Sequence, residues 1–400
     1  MNQATNPPPA DGAFLVFSDD WGRHPSSCQH LISHLLPKHP VFWVNTIGMR
    51  PPTLDMATWQ RGMEKCKHWL KRRRTSSPAS TETPENPTVV NPRMWPWFKR
   101  AHDRWLNKYL LTKPLQNQIA SIEGPVIAIT TIPIVSDLMD QLPVTAWVYY
   151  CVDDFGLWPG LDQRTMAKME SSVIRKADCC IAASKVLQDR LLQVRPDVEL
   201  LTHGVDMSHW ALTADASSNA DTDQERYAAT FWGLVDQRLD AAVVRAVATA
   251  VDGTVAFVGP QDNPPPEILS LENSQAIPPV PYQDLPAVAA NSDVLIMPYA
   301  DLPVTRAMQP LKLLEYLATF KPVVVRDLPA NRAWADCLDI ANEPEEFAAL
   351  VVERRQTGLP DAQRQARQRL VAEDWHHKAR RFEQIILDHS TPRNELRADH

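Results

Sequence analysis

Lys312 and Glu315 stand about one helical turn apart just after Gln309-Pro310, a pattern with a definite chemical reading. Gln309 fits an N-cap and Pro310 the first helical position, where the missing N–H costs nothing. A helix beginning there presents the unpaired amides of Leu311 and its neighbours, with the positive end of its dipole. That combination suits a diphosphate, with Lys312 adding charge and Glu315 accepting hydrogen bonds from sugar or ribose hydroxyls. The alternative is an ordinary solvated ion pair on a helix surface. A second candidate is Asp153-Asp154, two acids just past the apolar run at residues 145–150. One of them, Asp153 first, could act as general base on an acceptor hydroxyl; either could instead cap the next helix. A third set, Asp20, Trp21, Arg23 and His24, lies in the polar turn after the run at residues 13–17 and could contact an acceptor. Asp19 and Asp20 could equally serve turn hydrogen bonds.

The elements that must position these groups alternate between strand and helix. Apolar runs at 293–297 and 321–325 read as buried parallel strands on either side of a helix carrying Leu311, Leu314, Leu317 and Ala318 at helical spacing. Near the N-terminus, a strand at 13–17, a helix at 27–36 and a strand at 41–45 make a βαβ opening. In such folds ligands bind at the carboxyl ends of the strands. Strands at 125–130, 145–150 and 178–183, with helices at 163–176 and 185–192, continue the series. It resumes with strands at 227–232 and 254–258 and a helix at 240–251. The Ala-, Ser- and Asp-rich residues 211–226 read as a linker between two cores. The chain has 400 residues, which suits two α/β domains. A last amphipathic helix at 375–387 gathers Phe382, Ile385 and Ile386.

The order from Pro298 through PLKLLEYLATFKPVVV resembles the donor-binding segment of GT-B-fold, family-4-like glycosyltransferases, of the family 1 superfamily of bacterial polysaccharide synthesis. His203-Gly204-Val205-Asp206 stands where those enzymes usually carry Asn-Gly-Val-Asp, and Glu170, Ala177-Asp178 and Ser184 resemble the end of their first domain. The resemblance implies two Rossmann-like domains facing a central cleft: residues 12–206 for the acceptor and 207–374 for the donor. A terminal helix, 375–391, would cross back to the first domain. It implies transfer from a nucleotide-sugar donor, with no cofactor, to a glycan or lipid-linked acceptor in bacterial exopolysaccharide or envelope assembly. Glu315 would grip the ribose, and Gln309, Pro310, Leu311, Gly233 and Gly259 would border the donor. Arg238 would neutralise the leaving diphosphate with Lys312, and Asp153 or Asp154 would be the base of an inverting mechanism. Ala307 occupies the place of a second acid in the usual pattern, and Leu234 that of a first cation. Those two residues favour the rival reading, a glycosyltransferase-like scaffold or glycan-binding protein without turnover.

Composition bounds the rest. Hydrophobic residues make up 44%, enough for two cores, and the net charge of −7 argues against a general nucleic-acid binder. Six cysteines form no CxxC pair, which fits free thiols in a reducing cytoplasm. Neither a GxxxxGK[ST] loop, a GxGxxG turn, HExxH nor GxSxG occurs, leaving ATPase, dinucleotide, zinc-protease and serine-hydrolase readings without an anchor. Asp19-Asp20 and Asp153-Asp154 are adjacent rather than spaced, and no metal is expected. His30 and His34, one turn apart, read as surface residues for want of a third ligand. No apolar run reaches eighteen residues and MNQATNPPPADG offers no export signal, so a cytoplasmic protein is expected. Cations at 61–74 and 99–100, interleaved with Trp59, Trp69, Trp95, Trp97 and Trp105, read as an interfacial surface for the inner face of the cytoplasmic membrane. The alternative is a solvated basic helix beside a buried Trp-rich corner.

Overall fold

Six consecutive buried residues, Ala13–Ser18, form β1, and the absence of polar alternation marks a strand covered on both faces. A computed structural model describes residues 12–22, 26–46, 86–158, 160–219 and 226–390. The strands β2 (Val41–Asn45), β3 (Thr88–Val90), β4 (Val126–Thr130), β5 (Ala146–Cys151), β6 (Cys179–Ala182) and β7 (Glu199–Leu200) complete a first sheet. Its order is β3-β2-β1-β4-β5-β6-β7, with every pairing parallel.

A second sheet repeats that plan. It contains β8 (Tyr227–Trp232), β10 (Val255–Val258), β12 (Ser274–Ile277), β13 (Ser292–Met297), β14 (Val323–Arg326) and β15 (Asp339–Ala341). Here the order is β12-β10-β8-β13-β14-β15, again all parallel. A short ribbon of β9 (Val235–Asp236) and β11 (Gln261–Asp262) extends the loops after β8 and β10. Strand order reverses between β1 and β4 and again between β8 and β13, and at such switch points the loops part to leave a crevice.

Two apolar cores follow the two sheets, and the terminal helix Trp375–Ser390 belongs to the first. Trp375, Ala379, Phe382, Ile385 and Ile386 form its buried stripe and pack with residues of β1 to β6. Glu383 fixes it further, accepting from Lys38 at 2.9 Å and lying 2.8 Å from the His39 ring. At the hinge the two crossings pair: Val205 N donates to Glu373 O at 2.9 Å, and Trp375 N to Val205 O at 3.3 Å. A side chain at Gly204 would come within 2.8 Å of the Trp375 ring.

One local expectation gives way. The described part of the supposed linker is helical: Met207–Asn219 is one helix, started by Asp206, whose carboxylate accepts from His209 N at 2.9 Å and Ser208 Oγ at 2.7 Å. Trp210, fully buried, draws this helix into the second core and outweighs its polar composition. Further on, residues 361–373 form a short helix, Asp361–Ala366, and a tighter turn, Arg367–Glu373.

Candidate active site

The helix Leu311–Ala318 follows β13 through a loop that holds a further short helix, Pro303–Ala307. Its N-cap is Pro310, at φ −71° and ψ 120°, rather than Gln309, and no side chain caps the turn. The one-residue shift matters, because a pyrrolidine ring has no acceptor to offer and leaves the first amides unsatisfied by side chains. At the opposite end the buried Arg367 donates to Leu317 O at 3.2 Å, to Lys321 O at 2.8 Å and to Cys337 O at 2.8 Å. A cation on the last carbonyls complements the helix dipole and anchors its axis.

Lys312 does not form the surface ion pair with Glu315. Its Nζ sits 4.2 Å from the Phe231 ring centre and 5.5 Å from that of Tyr299. Gly233, at φ +123°, closes over it: a Cβ there would lie 2.1 Å from Lys312 Nζ. Gly259, at φ +143°, is tighter still, since its Cβ would fall 2.2 Å from Gly233 O. The two glycine turns, after β8 and β10, thus nest against each other and over the lysine, an approach only glycine permits.

Glu315 is buried, and Trp232 Nε1 donates to its Oε2 at 3.4 Å. Burial pushes its carboxyl up to about 7, against the opposing pull of the Trp232 hydrogen bond and the Lys312 charge. Aromatic rings surround it. Trp232 packs on Tyr316 at 4.1 Å and stacks on Trp210 at 5.5 Å, and Tyr282 meets Trp210 edge-on at 5.9 Å. Trp232, Trp210 and Tyr282 are not among the site residues expected from the sequence. Trp232 was findable: it ends β8 at the switch point, immediately before Gly233.

Across the seam between the domains, Arg238 faces Asp153. The guanidinium Nε contacts both Asp236 oxygens at 3.0 Å, Nη1 approaches Met308 Sδ at 3.4 Å, and the group lies 5.1 Å from the Trp158 ring. Burial raises the Asp153 carboxyl to about 7, while the Arg238 charge opposes the rise. Asp154 turns the other way. Its Oδ2 is 3.3 Å from Arg190 Nε and its Oδ1 accepts from Gly156 N at 3.1 Å. Arg190 in turn donates to the buried Glu170 at 2.7 and 2.8 Å. The adjacent acids are therefore divided between the seam and an internal network.

The remaining sequence candidates are dispersed. Trp21 packs edge-on against Trp43 at 4.8 Å, and its indole donates to Asn86 Oδ1 at 3.3 Å. The Asp20 carbonyl accepts from Gln29 Nε2 at 3.3 Å. Arg23 and His24 lie outside the described residues. His203 is buried 3.5 Å from the Tyr150 hydroxyl; burial pushes its ring down to about 4, with the Gln309 backbone opposing. His30 stacks on Trp375 at 4.8 Å and His34 meets His376 at 5.8 Å, so both pack the terminal helix. Ala307 is buried, and its carbonyl accepts from Ser184 Oγ of the first domain at 3.3 Å.

Two Rossmann-type sheets meeting at their switch points, with a paired hinge and a helix returning to the first domain, define the GT-B fold, which many glycosyltransferases share. Sucrose-phosphate synthase from Thermosynechococcus elongatus matches 94% of this chain and 98% of its own, with TM-score 0.68 and 13% identity. The UDP-forming alpha,alpha-trehalose-phosphate synthase of Burkholderia xenovorans, in complex with glucose-6-phosphate, matches 95% and 100%, with TM-score 0.62 and 11% identity. The E. coli trehalose-6-phosphate protein bound with UDP-2-fluoro glucose matches 95% and 99%, with TM-score 0.61 and 11% identity. In sequence, 179 residues are 28% identical to TuaH of Bacillus subtilis (strain 168), whose description is a glycosyltransferase of teichuronic acid biosynthesis. That match covers 42% of this chain and spans less than half, 45%, of the relative. No family model matches the chain.

Proposed function

We propose that the protein is a glycosyltransferase that moves a sugar from a nucleotide-sugar donor to a glycan or lipid-linked acceptor in bacterial envelope or exopolysaccharide assembly. The observation that carries this reading is the uncapped tip of the helix Leu311–Ala318, flanked by Lys312 under the Gly233 turn and by the buried Glu315. The likeness to TuaH supports the reaction class and the envelope setting.

In this reading residues 207–374 hold the donor, residues 12–206 the acceptor, and 375–391 tie the two. The acceptor hydroxyl oxygen attacks the anomeric carbon as the bond from that carbon to the diphosphate oxygen breaks. Asp153 takes the hydroxyl proton, which its elevated pKa suits it to do near neutrality. Negative charge growing on the diphosphate is met by the helix amides, Lys312 and Arg238, with no divalent cation assigned a part. Glu315 accepts the ribose hydroxyls against the wall of Trp232 and Tyr282. Asp20, Trp21, Arg23 and His24 remain acceptor candidates. The protein would work from the cytoplasm at the inner membrane surface.

The test is nucleoside diphosphate release from a panel of nucleotide sugars, with and without added lipid-linked oligosaccharides. Release from one donor by wild type, lost in Asp153→Asn, supports the assignment; release from none by folded protein refutes it. The second reading, a silent scaffold, draws on Ala307, where an apolar residue is buried with its carbonyl held by Ser184. It expects donor binding without any release.

A further inference from the structure

Four large aromatic side chains stand out from the first domain: Trp95, Trp97, Trp105 and Tyr109 are 38, 37, 64 and 70% exposed. They form two close pairs, Trp95 with Trp97 at 4.7 Å and Trp105 with Tyr109 at 5.9 Å, the latter stacked at 13°. Buried polar groups hold the first pair outward. The Asn107 amide donates to the carbonyls of Trp95 and Trp97 at 3.0 and 3.1 Å, its oxygen accepts from Trp95 N at 2.7 Å, and Asp103 accepts from the Trp95 indole at 3.0 Å. Trp105 and Tyr109 project from one face of the helix Ala101–Ala120, with Lys113 the next residue at the same spacing.

Residues 93–113 contain six Lys and Arg against one acid, Asp103, in a chain of net charge −7. This face is also tied to the segments that follow β4 and β5. Arg104 clamps Asp137, just beyond β4, at 2.8 and 2.6 Å. Lys99 lies 3.0 Å from Asp162, which caps the helix Gln163–Lys176 at the close of the loop begun by Asp153.

We infer that Trp95, Trp97, Trp105 and Tyr109 form a docking surface for an anionic lipid bilayer, placed to receive a lipid-linked acceptor beside Asp153. The inference rests on the transferase reading for the acceptor and on the surface alone for the bilayer. Rings of this kind settle at the headgroup boundary, and long cationic side chains spread apolar stems beneath them while their charges meet anionic headgroups. The expected alternative of a buried Trp-rich corner does not describe this face.

The test is co-sedimentation of the full chain with vesicles of phosphatidylcholine alone and of phosphatidylcholine mixed with phosphatidylglycerol. Wild type is expected to pellet with the anionic vesicles and to stay in solution with the neutral ones. Trp105→Ser with Tyr109→Ser is expected to weaken anionic binding by about tenfold or more. Lys108→Ser with Lys113→Ser is expected to lower the preference for anionic lipid. Nucleoside diphosphate binding by both variants monitors the fold and the donor site. Wild type that pellets with neither vesicle, or a Trp105/Tyr109 variant that pellets as wild type does, overturns the surface; so does equal pelleting with both lipids. Vesicle binding by a wild type that binds no nucleotide would sink the transferase reading and leave the surface standing.

Discussion

A Cβ on Gly233, in the turn after β8, would lie 2.1 Å from the ammonium of Lys312, on the helix Leu311–Ala318. Gly233→Ala must displace a flexible side-chain end, whereas Gly259→Ala must displace the Gly233 carbonyl, 2.2 Å from its Cβ, which is backbone. Both positions also have positive φ, a strain of about 1–2 kcal/mol for alanine. Gly259→Ala is therefore expected to lower Tm more than Gly233→Ala, while Gly233→Ala weakens nucleoside diphosphate binding by moving the lysine. Calorimetric melting and titration of the two variants check the order.

Glu315 gives a pH dependence with a defined sign. Its carboxyl rises from an ordinary 4.5 to about 7 on folding, so the unfolded chain releases the proton first. Stability falls as pH climbs from about 4.5 to about 7 and levels off above, by about 3 kcal/mol for this group. Glu315→Gln removes that loss. Denaturant midpoints are expected to converge toward low pH, with the variant more stable than wild type at pH 8 and the gap closing near pH 4. The same variant should bind nucleotide less tightly.

Asp153, pushed up to about 7, must lose its proton to act as a base. The kcat/KM profile is expected to rise with pH through a limb near 7, and Asp153→Asn to remove that limb with a rate loss of about a hundredfold or more. Nucleotide affinity should change little, which separates chemistry from binding.

Arg190 holds Asp154 and Glu170 together inside the first domain. Arg190→Met leaves the buried Glu170 without its cation and is expected to cost about 3–5 kcal/mol. Urea unfolding should show the loss, and donor affinity of the folded fraction should match wild type.

What could be read from the chain follows from how far each cause reaches. The helix carrying Lys312 and Glu315 was legible because its apolar spacing and Pro310 are local signals, although the cap itself moved by one residue. Both sheets were legible in outline because doubly covered strands such as β1 and β13 are unbroken apolar runs. The division between Asp153 and Asp154 was not, since it is decided by Arg238 and Arg190, which arrive from elsewhere in the chain. Nor was the helix Met207–Asn219, whose polar residues mask the buried Trp210 that fixes it. The aromatic wall at Glu315 joins Trp210, Trp232 and Tyr282 from three separate elements, so no spacing could reveal it.

The central claim is that the tip of the helix Leu311–Ala318 holds a nucleoside diphosphate. Its direct test is isothermal titration of wild type, Lys312→Ala and Glu315→Ala with a panel of nucleoside diphosphates. The account predicts saturable binding of at least one by wild type, weakened about tenfold or more in each variant, as loss of a charged hydrogen bond implies. Binding of none, or equal affinity in wild type and both variants, would contradict it.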